Sequence, residues 1–516
     1  MPTLSLSLVS HTNTGKTTLA RTLLGADIGE VRDAPHVTEF ADAHDLIQSP
    51  EGDRLQLWDT PGFGDSARLA RRLRASSNPV GWFLSQVWDR WRDRPFWASQ
   101  QALRHVQAES DVVLYLVNAA ESPAAAGYVA AEMELLAWLG KPVLVLLNQL
   151  GEPREPALEA ADVDTWRQHL RPWPLVREVL PMDAFARCWV HELTLLRAVQ
   201  RLLVGEQADA MARLVETWRR RGQATFDAAL TEMAGSVARM ALAREALSAA
   251  PRWRDTLKHW GQQLGGRTAS DHGPAARAHQ ALAQRLVDEA GASTGRLLAL
   301  HGLSGPAPQE AQARVMDRVA GQFALQAHVP EGKAALVGGA VTGALAGLKA
   351  DVLSGGLTLG GGLLAGALLG ALGAAGVARG INVVRGTDHS WVRVDDEAMA
   401  PLVQAAVLRY LAVAHFGRGR GAWVEGEAPP HWLPTVVAAM AAQQPALTAL
   451  WQARESRAPR WSSSPARQDA ASADPAAAGD EEARAARLAA SLQPLLAAAV
   501  RAVFGQLYPA THNPAA

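Results

Sequence analysis

One cysteine, Cys188, stands in 516 residues, which excludes an internal disulfide framework and any zinc or iron–sulfur centre built on several thiolates. Such usage fits a reducing compartment. Charge of one sign is also lacking: 50 Lys and Arg face 51 Asp and Glu, so whole-molecule electrostatics gives no argument for nucleic acid or for an anionic membrane surface, and no nucleic-acid partner is expected. The N-terminus MPTLSLSLVS has neither a basic n-region nor a small-residue cleavage site, so it does not read as a secretory signal, and the N-terminal part is expected in the cytoplasm. The 15 histidines show no H-E-x-x-H spacing, and no G-x-S-x-G elbow or paired carboxylates stand out, which leaves metalloprotease and serine-hydrolase chemistry without support.

What is present begins with periodicity. Leu4–Val9, Arg54–Trp58, Asp111–Asn118 and Pro142–Asn148 read as strands separated by polar or helical stretches, an α/β signature. The runs at 112–117 and 143–147 are apolar without alternation, as strands covered by helices on both faces are. The expected fold is α/β: an N-terminal doubly wound, mainly parallel sheet of the P-loop NTPase kind, followed by a mostly α-helical C-terminal domain with a Gly-rich hairpin. The long connection Ser66–Ser110 reads as helical and carries Trp82, Trp88, Trp91 and Trp97. Those tryptophans either pack on their own sheet or form a contact surface for a partner or membrane.

Beyond Val204 the spacing becomes helical, with Met211, Leu214, Val215 and Trp218 and then Phe226, Leu230, Met233 and Val237 forming stripes of the kind that pack helices together. A boundary is expected near Gly205, dividing a nucleotide domain (1–204) from a helical domain (205–452). A Ser/Ala/Pro-rich linker (453–480) and a C-terminal helix and tail (481–516) follow.

Chemistry concentrates at Ser10-His11-Thr12-Asn13-Thr14-Gly15-Lys16-Thr17, between a strand and the helix-forming run Thr18–Leu24. Anionic phosphate needs converging donors, and a glycine turn feeding a helix N-terminus supplies backbone N–H groups. In G-x-x-x-x-G-K-[ST] logic the loop residues Asn13, Thr14, Gly15, Lys16, Thr17 and Thr18 bind the phosphates. Lys16 reaches the β- and γ-phosphates, and the Thr17 hydroxyl ligates Mg2+. Ser10 stands where the motif has its first glycine. Asp59-Thr60-Pro61-Gly62 closes a second strand, where Asp59 is expected at Mg2+ and the Gly62 N–H at the γ-phosphate. Thr38, in Pro35-His36-Val37-Thr38, is the candidate switch threonine, a catalytic and Mg2+-binding residue beside Lys16; its alternative is a surface-loop threonine.

These residues carry a family resemblance. H-T-N-T-G-K-T-T followed by D-T-P-G resembles the Era-like branch of translation-factor-related GTPases, over roughly the first 200 residues. The whole chain, including Arg409-Tyr410-Leu411-Ala412-Val413-Ala414-His415-Phe416-Gly417, resembles a bacterial group that joins such a GTPase to a C-terminal domain of unknown function. The resemblance implies GTP as ligand, Mg2+ as cofactor and hydrolysis of the γ-phosphate. Asn13 falls where the tRNA-modification and ferrous-iron-transport relatives place an asparagine that supports K+ beside the phosphates; the alternative is that it stabilises the turn. Phe63 occupies the place of the water-positioning glutamine of many small GTPases, which implies slow turnover completed by a cation, a dimer or a partner protein.

Base recognition departs from the family. The expected N-K-x-D reads Asn148-Gln149-Leu150-Gly151, so the asparagine is kept and the aspartate that accepts from guanine is not. Adjacent Glu152 is a candidate substitute, and Pro181-Met182-Asp183-Ala184 resembles the last guanine loop, with Asp183 and Ala184 at the base.

Residues 334–378 are nearly free of charge apart from Lys349 and Asp351, with Gly338, Gly339, Gly343 and Gly347 and then Gly356, Gly360, Gly366 and Gly370 recurring. The stretch 352–378 exceeds the roughly 20 residues a spanning helix needs, and G-x-x-x-G spacing lets helices approach closely in lipid. Lys333, Arg379 and Arg385 would keep both ends cytoplasmic. The expectation is a membrane-associated regulatory GTPase on the cytoplasmic side, with a homo-oligomer or an unidentified protein as further partner. The alternatives are a soluble helical hairpin for this segment, and an ATPase or a barely hydrolysing scaffold for the whole.

Overall fold

The computed structural model describes residues 2–12, 14–25, 42–64, 66–74, 94–150, 156–182, 188–246, 274–303, 381–385, 390–415, 431–456 and 475–508. The Gly-rich segment 334–378 and Trp82, Trp88 and Trp91 lie outside them. The chain forms two compact units. The first comprises Met1–Thr225 with Ala414–Glu425 and Phe504–Ala516, and the second Phe226–Val413 with Gly426–Val503.

The first unit is built on β1 (Thr3–Ser10), β2 (Asp42–Gln48), β3 (Arg54–Asp59), β4 (Val112–Asn118), β5 (Val143–Asn148) and β6 (Val176–Pro181), in the order β2-β3-β1-β4-β5-β6. All neighbours are parallel except β2, which runs antiparallel to β3 at the edge. Parallel strands need helical crossovers, and α1 (Lys16–Leu24), α2 (Ser66–Leu73), α3 (Arg94–Glu109), α4 (Tyr128–Leu139) and α5 (Pro156–Leu170) lie in the connections between strands, while α6 (Trp189–Gln200) follows the last strand. The mainly parallel, doubly wound sheet is as expected. The polar edge strand β2 was not read from the sequence, because Asp42-Ala43-His44-Asp45 offers no apolar run.

Alternation in β1 sorts its side chains between two cores. Leu4, Leu6 and Leu8 pack with Leu19 and Leu23 of α1 and Leu193 and Leu196 of α6. On the other face Val9 joins Phe63, Leu103, Val113, Tyr115, Val145 and Trp166. Ser7 lies on that second face with its hydroxyl 2.9 Å from His105 Nε2 of α3, so a buried polar group finds a partner. The parallel strands all end at one edge of the sheet, where ligands of such folds bind.

Beyond α6, the long helix α7 (Glu206–Leu242) begins after Gly205, but the first unit continues into it as far as Thr225, well past the boundary expected at Gly205. Met211, Leu214, Val215 and Trp218 fill the same core as Leu4 and Leu6. Arg213 forks onto the buried Asp53 at 2.6 and 3.1 Å, holding that carboxyl below its ordinary range. Trp218 donates to Glu192 at 2.9 Å. The apolar stripe thus completes the nucleotide domain's own core.

The second unit contains the rest of α7, α8 (Pro274–Leu300), α9 (Asp396–Ala414) up to Val413, α10 (Trp432–Ala441), α11 (Gln444–Ser456) and α12 (Pro475–Leu507) up to Val503. It is mostly helical as expected, with one addition: a small antiparallel sheet in the order β7-β9-β8, formed by β7 (Arg244–Ala246), β8 (Ile381–Arg385) and β9 (Ser390–Val394). Arg454 ties these parts together, donating to the carbonyls of Ala241 and Val394 at 2.8 Å and to Asp396 at 2.5 Å. The expected linker 453–480 is partly helical, since α11 runs to Ser456 and α12 starts at Pro475. Proline suits a first helical position and the alanines after it favour the helix. Among the described residues one helical stretch, Gly479–Leu507, is long and apolar enough to cross a membrane, but Leu492, Leu496, Val500 and Val503 within it are buried core residues.

His191 of α6 meets Tyr508 edge-on at 4.7 Å, and Tyr508 bonds in turn to His415 Nε2. Burial lowers the His191 pKa to about 4. An unfolded histidine near 6.5 binds its proton first, so stability is unaffected above pH 6.5 and is lost as pH falls from there toward 4, by about 2–3 kcal/mol. Thermal melts between pH 7 and 4 should show His191→Gln losing less stability than wild type over that window; parallel curves would refute the assignment.

Candidate nucleotide-binding site

The phosphate loop joins β1 to α1. Gly15, at φ +87°, precedes the first helical residue Lys16, and no acidic residue lies in the first turn, so the positive end of the helix dipole is unopposed. An alanine Cβ at Gly15 would come 2.7 Å from Asn148 Nδ2, a second reason for glycine here. Thr18 is buried in the same first turn.

Ser10 does more than replace a glycine. Its hydroxyl donates to the His11 carbonyl at 2.6 Å and accepts from Lys16 Nζ at 2.9 Å and from the Thr14 hydroxyl. The lysine therefore has a resting partner inside the loop. Lys16 is buried, and its pKa lies below the ordinary value because desolvation outweighs the attraction of Asp59 and then Glu132.

Thr17 donates to Asp59 Oδ2 at 2.5 Å, so the two oxygen ligands expected at Mg2+ are adjacent at the helix start. A hydroxyl and a carboxylate fit a hard cation that takes oxygen ligands and keeps several waters. Bound there, it would supply positive charge to β- and γ-oxygens. Gly62 lies against the same corner: a Cβ on it would approach Lys16 Nζ at 3.0 Å and Thr12 Cα at 3.1 Å. The Phe63 N–H donates to the Ser10 carbonyl at 2.9 Å, while the Phe63 side chain is wholly buried in the core. No side chain from that position is available to orient water.

On the base side, Asn148 at the end of β5 is fully buried and donates to the Thr14 carbonyl at 2.8 Å, so this amide buttresses the phosphate loop. Gln149 follows in the left-handed region at φ 58°. The structure thus brings together Thr14, Gly15, Lys16, Thr17, Thr18, Asp59, Gly62 and Asn148. Asn13, Thr38, Gly151, Glu152, Asp183 and Ala184 lie outside the described residues. Among the described residues no group of three or more His, Cys, Asp and Glu is arranged to hold a metal.

Sequence reasoning missed Glu132. This residue of α4 is fully buried with Oε1 2.7 Å from His11 Nδ1 and Oε2 accepting from the Tyr115 hydroxyl at 2.6 Å. The signal was available: Glu132 interrupts a helical stripe of Val129, Met133 and Leu136, all buried. A carboxylate in such a stripe needs a partner.

Comparison with known proteins agrees with this geometry. Residues 5–149 match the model of the 50S ribosome-binding GTPase family, and residues 176–481 match that of a domain of unknown function, DUF3482. No curated protein matches. Similar solved structures include an Era variant from Aquifex aeolicus bound to GDP and aluminium fluoride, at 19% identity, 40% of this chain, 59% of that one and a TM-score of 0.30. Another is Era with Mg-GDPNP and nucleotides 1506-1542 of 16S ribosomal RNA, at 20% identity, the same coverages and a TM-score of 0.30. A bacterial selenocysteine-specific elongation factor follows at 14% identity, 42% and 29% coverage and a TM-score of 0.24. The matched region spans 59% of the length of the two Era chains. The chain belongs to the DUF3482 family, and its N-terminal residues 5–149 match the 50S ribosome-binding GTPase model.

Proposed function

We propose that this protein is a regulatory GTPase that binds GTP with Mg2+, hydrolyses it slowly and uses its nucleotide state to control its helical domain or a partner. The observation that carries the reading is the single corner where Lys16 Nζ, the Thr17–Asp59 pair and Gly62 meet at the N-terminus of α1. Water attacks the γ-phosphate, the leaving diphosphate keeps the bridging oxygen, and Lys16 neutralises developing charge on the β- and γ-oxygens. Burial of Phe63 supports slow turnover, because no glutamine-like group is present there to orient the attacking water. K+ at Asn13 or an associated copy or partner protein would supply what is missing. Thr38 would close over Mg2+ and the γ-phosphate when GTP is bound. The Gly-rich segment 334–378 would hold the protein at the cytoplasmic face of a membrane.

Guanine preference is the sharpest test, because Gly151 removes the usual aspartate acceptor, an interaction worth a large discrimination at a site built around it. Binding of GTP and ATP analogues to the full chain with Mg2+, followed by phosphate release with and without K+ and liposomes, should give tighter GTP binding and K+-stimulated hydrolysis. Equal or tighter ATP binding would move the assignment to an ATPase or unspecific nucleotidase. Phosphate release unchanged in Lys16→Ala would favour a scaffold.

A further inference from the structure

We propose that Glu132 is a positioning residue for the γ-phosphate end of this site, acting through His11; the inference rests on the nucleotide-binding reading above. The phosphate loop has two separate buttresses. At one end Asn148 holds the Thr14 carbonyl at 2.8 Å, beside the helix N-terminus that receives the β-phosphate. At the other, Glu132 holds the His11 ring at 2.7 Å, and that ring stacks on Tyr128 with centroids 4.4 Å apart.

His11 is where the loop meets the D-T-P-G-F turn. It forms a parallel bridge with Phe63, and the neighbouring Ser10 carbonyl accepts from the Phe63 N–H at 2.9 Å. Thr12, next in the chain, lies against Gly62, whose N–H is the expected γ-phosphate sensor. The placement of His11 therefore sets the spacing between Thr12, Lys16 and Gly62, the groups a γ-phosphate must fit between.

Glu132 is suited to such a tether. It is fully buried, and both oxygens are engaged, one by His11 and one by Tyr115. Tyr115 stays a donor, since burial and then the Glu132 charge push its phenol well above its ordinary range. Two residues on, Glu134 accepts a forked pair from Arg74, with Nε at 2.8 Å, at the end of α2. The helix α4 thus anchors both the start of the phosphate loop and the helix after the D-T-P-G-F turn.

The test measures affinities of the full chain for a fluorescent non-hydrolysable GTP analogue and for fluorescent GDP, in wild type, Glu132→Gln, His11→Ala and the double variant. Loss of one charge-assisted bond at the γ end should weaken analogue binding by roughly tenfold and leave GDP within about threefold. The two substitutions should be non-additive, because one residue acts through the other. A merely structural role would lower both affinities together, so equal shifts, no shift, or additive effects would overturn the proposal. His11 is partly exposed, so His11→Ala still reports if Glu132→Gln fails to fold. Wild type binding neither nucleotide would overturn the nucleotide-site reading and this inference with it; wild type binding both, with equal shifts in the variants, would overturn this inference alone.

Discussion

Lys16→Met is expected to abolish measurable hydrolysis while raising the thermal stability of the nucleotide-free protein. The rate effect follows from removing the one cation that the described loop aims at the β- and γ-oxygens, and deleting a single pre-set donor of developing charge typically lowers a rate about 10²–10³-fold. The stability effect follows from the state of that cation before ligand arrives. Lys16 is buried, and desolvation lowers its pKa despite Asp59 and Glu132 nearby, so the folded apoprotein is better off without the charge. Methionine keeps most of the stem's packing and discards the ammonium. A higher melting point for the nucleotide-free variant is the expected result, read by a thermal scan without ligand. Addition of GTP and Mg2+ should reverse the ranking, since only wild type gains stability from binding. A lower melting point for the nucleotide-free variant would show that the bond to Ser10 and the attraction of Asp59 outweigh desolvation.

Gly15→Ala is expected to damage both fold and binding. The residue sits at φ +87°, where a side chain adds about 1–2 kcal/mol of strain. Its Cβ would also press to 2.7 Å on Asn148 Nδ2, displacing the amide from the Thr14 carbonyl and leaving buried polar groups without their bond, about 1–3 kcal/mol more. Urea or thermal unfolding should register about 2–5 kcal/mol in total, and nucleotide affinity should fall at least about a hundredfold, because the first N–H groups of α1 move with the loop. Asn148→Ala in the same chain removes the overlap. The double variant should therefore be less unstable than the sum of the singles. Strict additivity would mean that the overlap is absorbed elsewhere and that backbone strain alone explains the effect.

Much of the nucleotide domain was legible because its signals are local. Lys16 and Thr17 follow Gly15 directly, and the loop they form needs only a strand before it and a helix after it. The apolar runs of β4 and β5 announce burial on both faces, and Asp59-Thr60-Pro61-Gly62 stands at a strand end in its own right. Hydrophobic period and turn chemistry are properties of neighbouring residues, so a single chain read in order displays them.

What the tertiary structure decided concerns residues that are distant in sequence. Glu132 reaches His11 across 121 positions only because β4 lies beside β1 and turns into α4 on the loop's side of the sheet. The Ser10 hydroxyl became a partner for Lys16 through the curl of the loop, which a motif comparison records merely as a missing glycine. The first half of α7 joined the nucleotide domain through Trp218 and Arg213, although the change of period at Gly205 suggested a boundary there. Period reveals that a face is buried; the fold alone decides which surface buries it, and so which carboxylate ends up behind a phosphate site.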